Sequence, residues 1–143
     1  MTTGNEENLY KKLCSWIGES EDSPWTEYST ELVAKTVLID FSDKDWEVLK
    51  KAILKMPEFW QQRCAVSLGE NRTTKAIEIL KTLLSKSGYK DVKIISIYEL
   101  DWAEVPIEKK YSHHVKQIID TTPKSEIEPE IYSLLAKAES SEI

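Results

Sequence analysis

Glycine and cysteine are scarce in this chain, with four and two copies among 143 residues. With so few glycines a phosphate cradle is hard to build, and no Gly-rich phosphate loop, His-Glu-x-x-His, Cys-x-x-Cys or serine nucleophile elbow is present. Cys14 and Cys64 both fall within apolar patterns, which is typical of small buried side chains rather than of a disulfide or a nucleophile. We therefore expect a protein that is not an enzyme, with no catalytic residue, no metal site and no cofactor.

The two histidines and the many carboxylates do not change this expectation. His113 and His114 are adjacent, and neighbouring side chains on a helix point about 100° apart, so they cannot share an ion as histidines four residues apart do. The carboxylates are scattered over predicted helix surfaces, where solvated faces are the usual explanation. A hydrolase that uses a pair of them stays as an alternative.

Long apolar runs and an excess of positive charge are also lacking. No run approaches the roughly 18 apolar residues of a membrane span, and the polar, acidic start Met1 to Tyr10 does not resemble a signal peptide. The net charge of -6 disfavours nucleic acid and anionic membranes as partners, because both would repel the chain. We expect a cytoplasmic protein whose partner is a basic protein.

Helix signals are strong in the middle of the chain. Ser42 can cap a helix, Asp45 can complete an approximate capping box, and Phe41 can contact Trp46 across the cap. Pro57 is expected to open a second helix as its first residue. That second helix is expected to stop at Gly69.

Apolar positions then recur with a fixed offset, which indicates a repeated structural unit. A period near 30 residues is typical of stacked helix pairs, each of which buries its apolar face only against a neighbour. The sequence therefore predicts an all-α fold, an α-solenoid of about four helix pairs. The pairs Trp46 and Ile77, Leu49 and Leu80, and Ile53 and Leu84 are 31 residues apart, whereas Trp60 and Val92, Cys64 and Ser96, and Leu68 and Leu100 are 32 apart.

We expect residues 1–143 to form a single domain, because a chain of this length can bury one substantial core. Residues 42–119 are the predicted repeat core, and residues 7–41 and 107–139 are predicted capping helix pairs. In the first of these, Gly18 ends one helix and Ser23-Pro24 caps the next. Residues 92–100 are rich in β-branched side chains, so a buried strand is the alternative there, although the repeat register favours a helix.

Two segments resemble the second helix of a short HEAT-like repeat, which implies a right-handed solenoid: Asp91-Val92-Lys93-x-x-Ser96-x-x-x-Leu100 and Trp60-Gln61-x-x-x-Ala65-x-x-Leu68-Gly69. The segments depart from the usual pattern at Trp60, which replaces a small aliphatic residue, and at Glu99, which lies near the core side. The whole chain is similar to small immunity proteins of bacterial polymorphic toxin and contact-dependent growth inhibition systems. The stretches that carry this likeness are Phe-Ser-Asp-Lys-Asp-Trp (41–46), Pro-Glu-Phe-Trp-Gln-Gln (57–62) and Leu68-Gly69.

The second resemblance implies a protein that binds a cognate toxin domain, often a nuclease, and neutralises it by blocking the active site through an acidic surface. It assigns no individual functional residue. The alternative is a HEAT-like adaptor or regulatory subunit that binds a protein unrelated to any toxin.

Charge differs between the two helices of each predicted pair. The first helices, over 7–18, 42–56, 73–87 and 107–119, carry about +6, and the second helices, over 24–40, 57–70, 88–104 and 125–139, carry about -8. Second helices line the concave surface of HEAT-like solenoids, so this surface is expected to be acidic and to bind the partner. The alternative is that the charge serves solubility. The predicted contact residues are Glu31, Asp40, Glu58, Glu70, Tyr98, Glu99, Asp101, Trp102 and Glu104.

Overall fold

The computed structural model describes residues 8–143, so the first residue of the predicted first helix lies outside the described range. Over this range the chain forms eight α-helices and no strand, which confirms the all-α class and shows that the strand alternative for residues 92–100 was wrong. The helices are α1 (Asn8–Ile17), α2 (Glu27–Leu32), α3 (Asp43–Ala52), α4 (Glu58–Asn71), α5 (Thr74–Lys86), α6 (Lys90–Ala103), α7 (Ser112–Asp120) and α8 (Pro129–Glu139).

The capping signals at the start of α3 are confirmed. The Ser42 hydroxyl accepts a hydrogen bond from the Asp45 amide at 3.2 Å, and the Asp45 carboxylate accepts one from the Ser42 amide at 2.9 Å. Phe41 meets Trp46 edge to face, with ring centroids 4.9 Å apart. Gly18 follows α1 with a φ of 94°, a backbone conformation that side chains with a Cβ rarely adopt.

Several predicted helix ends were wrong by a few residues. α3 ends at Ala52 rather than residue 56, α7 begins at Ser112 rather than residue 107, and α8 begins at Pro129 rather than residue 125. Thr26, rather than Ser23-Pro24, caps α2, because its side chain accepts from the Ser29 amide. Pro57 is the N-cap residue of α4 and Glu58 its first helical residue. Gly69 lies inside α4, which continues to Asn71 and ends at Arg72, a residue in the left-handed conformation with a φ of 60°.

The predicted helix over 24–40 is formed from three different helical segments. After α2 the chain widens into a π-helical turn, Val33–Val37, and then tightens into a 3-10 turn, Leu38–Asp40. A π turn leaves backbone groups without their usual helical partners. The Asn71 side chain satisfies one of them, donating to the Ala34 carbonyl at 3.1 Å. The C-terminal end of α4 therefore contacts the irregular segment that follows α2.

The second helices of the predicted pairs pack against one another in chain order. α4 contacts α2 on one side and α6 on the other, and α6 contacts α8. Among the first helices of the predicted pairs, α1 contacts α3, and α5 contacts α7. All twelve residues of the 31- and 32-residue offset pairs are buried. The residues of the predicted apolar periodicity thus lie in the core.

Arg63 of α4 links the connection between α1 and α2 to α4. One guanidinium nitrogen donates to the Ile17 carbonyl at 2.6 Å, and another donates to the Glu21 carbonyl at 2.9 Å. The guanidinium also lies 5.3 Å from the ring centre of Phe59 and 5.7 Å from that of Trp25. Arg63 therefore fixes the position of Trp25, which lines a groove across α2, α4 and α6.

Candidate functional site

An open groove of about 600 Å³ runs across α2, α4 and α6, the helices predicted to form the binding surface. It contains four of the nine predicted contact residues, Glu31, Glu70, Glu99 and Trp102. The structure thus brings together side chains from three helices that are far apart in sequence. The lining residues are Trp25, Thr26, Glu27, Thr30, Glu31, Val66, Glu70, Arg72, Glu99 and Trp102.

Carboxylates dominate the charge of the groove. Four acidic side chains line it against one cation, Arg72. The Arg72 Nε donates to the Gly69 carbonyl at 2.8 Å, so this guanidinium is held close to the end of α4. A surface that combines several carboxylates with a single tethered cation attracts positively charged partners and repels nucleic acid phosphates.

Glu99 reaches its place in the groove because residue 69 has no side chain. A Cβ at Gly69 would overlap the carboxyl group of Glu99, so the acid lies directly over the α4 backbone. Glycine inside a helix is unfavourable by about 0.5–1 kcal/mol relative to alanine. Glycine at position 69 therefore lowers the stability of α4 but allows Glu99 to lie close to the helix backbone.

The environment of Glu99 makes its carboxyl group weakly acidic. Burial raises its pKa to about 7, with nearby Arg72 lowering it and nearby Glu70 raising it by smaller amounts. No hydrogen bond contributes to this shift. Near neutral pH the protonated and ionised forms are therefore both populated, and a cation that enters the groove would favour the ionised form.

Trp102 forms one aromatic wall of the groove and is held by two contacts. Its indole stacks on Tyr98, with ring centroids 5.8 Å apart and planes inclined by 27°, and its Nε1 donates to Glu130 at 3.1 Å. Even so, 49% of the residue surface is exposed. A large aromatic side chain that is both exposed and held in position is typical of contact residues in protein interfaces.

Asp101 was also predicted as a contact residue, and the structure places its carboxylate inside the fold. Its Oδ1 accepts from the Ser133 hydroxyl and from the Lys137 ammonium, each at 2.7 Å, and only 11% of its side chain is exposed. Lys137 also donates to the Asp101 carbonyl at 3.2 Å. These contacts join α6 to α8, so Asp101 has a structural partner already.

The remaining predicted residues lie outside the groove. Glu58 begins α4 and accepts from Gln62 at 3.3 Å, and Asp40 is exposed at the end of the 3-10 turn. Glu104, with a φ of 55°, lines a separate hollow of about 560 Å³ that includes Pro106 and Lys137. Tyr98 supports Trp102 from behind and is half-buried. The nine predicted contact residues therefore lie on different surfaces.

Sequence reasoning missed Trp25, Glu27 and Arg72. Glu27 could have been found, because it lies four residues before Glu31 and so on the same face of α2. Trp25 was not among the predicted contact residues, yet it is only half-buried beside Arg63. No sequence pattern indicates that Arg72 lies in the groove, since its position depends on α4 continuing past Gly69.

The histidines and cysteines lie away from the groove. The rings of His113 and His114 are 3.9 Å apart, closer than the helical geometry of adjacent residues predicts. Burial, together with His113 and Lys93, lowers the pKa of His114, which favours its neutral form. Within residues 8–143 no three potential metal ligands come together.

Burial raises the pKa of Cys14 and of Cys64, so both thiols stay protonated near neutral pH.

None of the helices in the described range combines the length and apolar character needed to cross a bilayer. Comparisons of the chain with protein-family models, with curated protein sequences and with solved structures gave no significant match.

Proposed function

We propose that this chain is an immunity protein that binds a basic, nuclease-type toxin domain in the cytoplasm and blocks its active site without catalysis. The observation that carries the proposal is the groove across α2, α4 and α6, which combines four carboxylates with an exposed indole. The resemblance in residues 41–46 and 57–62 supports the same function.

Neutralisation needs no chemistry in this scheme. A nuclease binds nucleic acid through a cationic surface. Carboxylates on the groove would occupy that surface in place of phosphates, speed the encounter and fix the orientation of the complex. Aromatic side chains such as Trp102 would supply much of the affinity, as interface tryptophans commonly do.

The proposal includes a right-handed α-solenoid of four HEAT-like helix pairs as the architecture. Support comes from the buried 31- and 32-residue offset pairs and from the serial contacts of α2, α4, α6 and α8. In such a solenoid the groove belongs to the concave face, and the partner is held by several repeats at once.

The decisive experiment is co-expression of the chain with the product of the adjacent upstream reading frame. We expect a tight complex on size-exclusion chromatography and loss of the partner's toxicity in growing cells. Hydrogen exchange of the complex should slow in the groove segments of α2, α4 and α6 and stay unchanged in α3. A neighbour without toxic activity, or one that forms no complex, would contradict the proposal. Capture of a non-toxin partner would instead favour the adaptor function.

A further inference from the structure

We propose that the groove receives an arginine side chain of the partner, with the Glu99 carboxylate pairing with the guanidinium and Trp102 providing a flat face beside it. This inference rests on the proposed function and names the chemistry of the contact.

Glu99 is the least exposed carboxylate of the groove, since Glu27, Glu31 and Glu70 are all exposed. Glu31 also has a partner of its own, because it pairs with Lys35 at 3.1 Å. Glu99 is half-buried against Gly69 and is influenced by Arg72 and Glu70 without a hydrogen bond from either. A desolvated acid without a donor is stabilised strongly when a partner supplies one.

Arginine fits this site better than lysine. A guanidinium is planar, donates two parallel hydrogen bonds to a carboxylate and stacks on aromatic rings, whereas an ammonium is a compact and strongly hydrated charge. The groove offers both features, a carboxyl group and the exposed indole of Trp102. Arg63 already lies near the ring of Trp25 in this protein, so the same kind of contact is present next to the site.

Binding of a guanidinium should release protons near pH 7, because it favours the ionised form of Glu99. The charged groups around this carboxyl group are Glu70 and Arg72 at the end of α4, and Glu27 and Glu31 line the same groove from α2. Since Glu99 is about half protonated at pH 7, the release should reach up to about 0.5 proton per complex.

The probe is an acetylated and amidated tetra-arginine peptide, compared with tetra-lysine and with free arginine amide. Isothermal titration calorimetry at pH 7, in two buffers of different ionisation enthalpy, gives both affinity and proton release. We expect tetra-arginine to bind more tightly than tetra-lysine, with free arginine amide weakest because it engages Glu99 alone. Glu99→Gln should weaken tetra-arginine binding about 10-fold or more and abolish proton release.

Two further variants make the result specific. Glu31→Gln changes charge in the same groove at an exposed, paired position, so it should weaken binding less than about threefold. Gly69→Ala should displace the flexible Glu99 side chain while improving helix propensity, so binding should fall although the protein stays folded.

The proposal is overturned if the wild-type protein does not bind tetra-arginine, if tetra-lysine binds equally well, or if Glu99→Gln behaves like Glu31→Gln. Its failure is distinguishable from failure of the proposed function. A toxin complex that forms with unchanged affinity in the Glu99→Gln variant would keep the immunity function and reject the arginine contact.

Discussion

Glu99 destabilises the folded chain in its ionised form, because its carboxyl group is half-buried and no group within residues 8–143 donates a hydrogen bond to it. The folded state holds the Glu99 proton more tightly than the unfolded state does. The contribution of Glu99 to the stability of the folded state is therefore most favourable below the ordinary glutamate pKa. This contribution is lost as pH rises from that value through about 7. A side chain that lowers stability at neutral pH and lies in an open groove is better explained by binding than by folding.

We predict that Glu99→Gln changes the pH dependence of stability. Near pH 4, below the ordinary glutamate pKa, the variant and wild-type proteins should unfold at similar denaturant concentrations, because the side chain at position 99 is then largely neutral in both the folded and the unfolded state. Above pH 8 the variant should be more stable by about 1–2 kcal/mol, a value reduced from the full shift because the carboxyl group is partly solvated. Urea titrations at both pH values measure this.

Glu31→Gln is the control for this measurement, since its carboxylate is exposed and should give the same small change at both pH values. A Glu99→Gln protein that is less stable than wild type above pH 8 would contradict the assigned environment of Glu99.

The different positions of Glu99 and Asp101 show where prediction from sequence stops. Both residues were predicted as contacts, and Glu99 was recognised as lying near the core side. Asp101 is paired with Ser133 and Lys137, residues 32 and 36 positions away in α8. No local pattern reveals that pair, because it depends on how α6 and α8 pack.

At the scale of helices, local chemistry was sufficient to place α3. Ser42, Asp45 and the Phe41 contact with Trp46 lie within a few residues, and each makes its predicted contact. The end of α4 could not be predicted in this way, since Gly69 normally suggests a helix stop. Here Gly69 serves the packing of Glu99 from α6, which is a tertiary requirement.

The link from α1 to α2 depends on Arg63, which donates to two backbone carbonyls of that region. We predict that Arg63→Ala lowers the free energy of unfolding by about 2–3 kcal/mol, through loss of charged hydrogen bonds and aromatic contacts. Chemical denaturation measures the loss. Hydrogen exchange should also become faster in residues 18–26, which this side chain fixes.

Arg63→Lys is the matched variant, because it keeps the charge and removes the forked geometry. It should recover only part of the stability. Full recovery by lysine, or unchanged exchange in residues 18–26 of the alanine variant, would show that the two carbonyl contacts do not hold this connection.

Across the whole molecule, the helix order and the difference in charge between first and second helices could be predicted from sequence. Most observed helix ends fall within three residues of the predicted ones, and the groove lies on the acidic set of helices. The residues that line the groove could not be predicted, because they depend on the angles at which α2, α4 and α6 pack. Glu31 and Glu70 meet there, whereas Asp40 does not.

This distribution of charge predicts how association responds to salt. Reversing charge with Glu31→Lys and Glu70→Lys together should slow association with the proposed basic partner about 10-fold at low ionic strength, with a smaller effect on dissociation. The salt dependence of the association rate should also become weaker, because fewer attractive charges remain to be screened. Stopped-flow measurements over a salt series, following the change in intrinsic tryptophan fluorescence on binding, provide both quantities.

The matched control is Glu47→Lys with Glu78→Lys, which makes the same change of net charge on exposed positions of α3 and α5. Long-range attraction depends on net charge, but orientation of the encounter depends on where the charges lie. If the partner docks on the groove, the control should slow association by less than the groove variant at every salt concentration. Equal slowing by both variants would show that net charge alone guides the encounter, and the groove would lose its assigned role in orienting the complex.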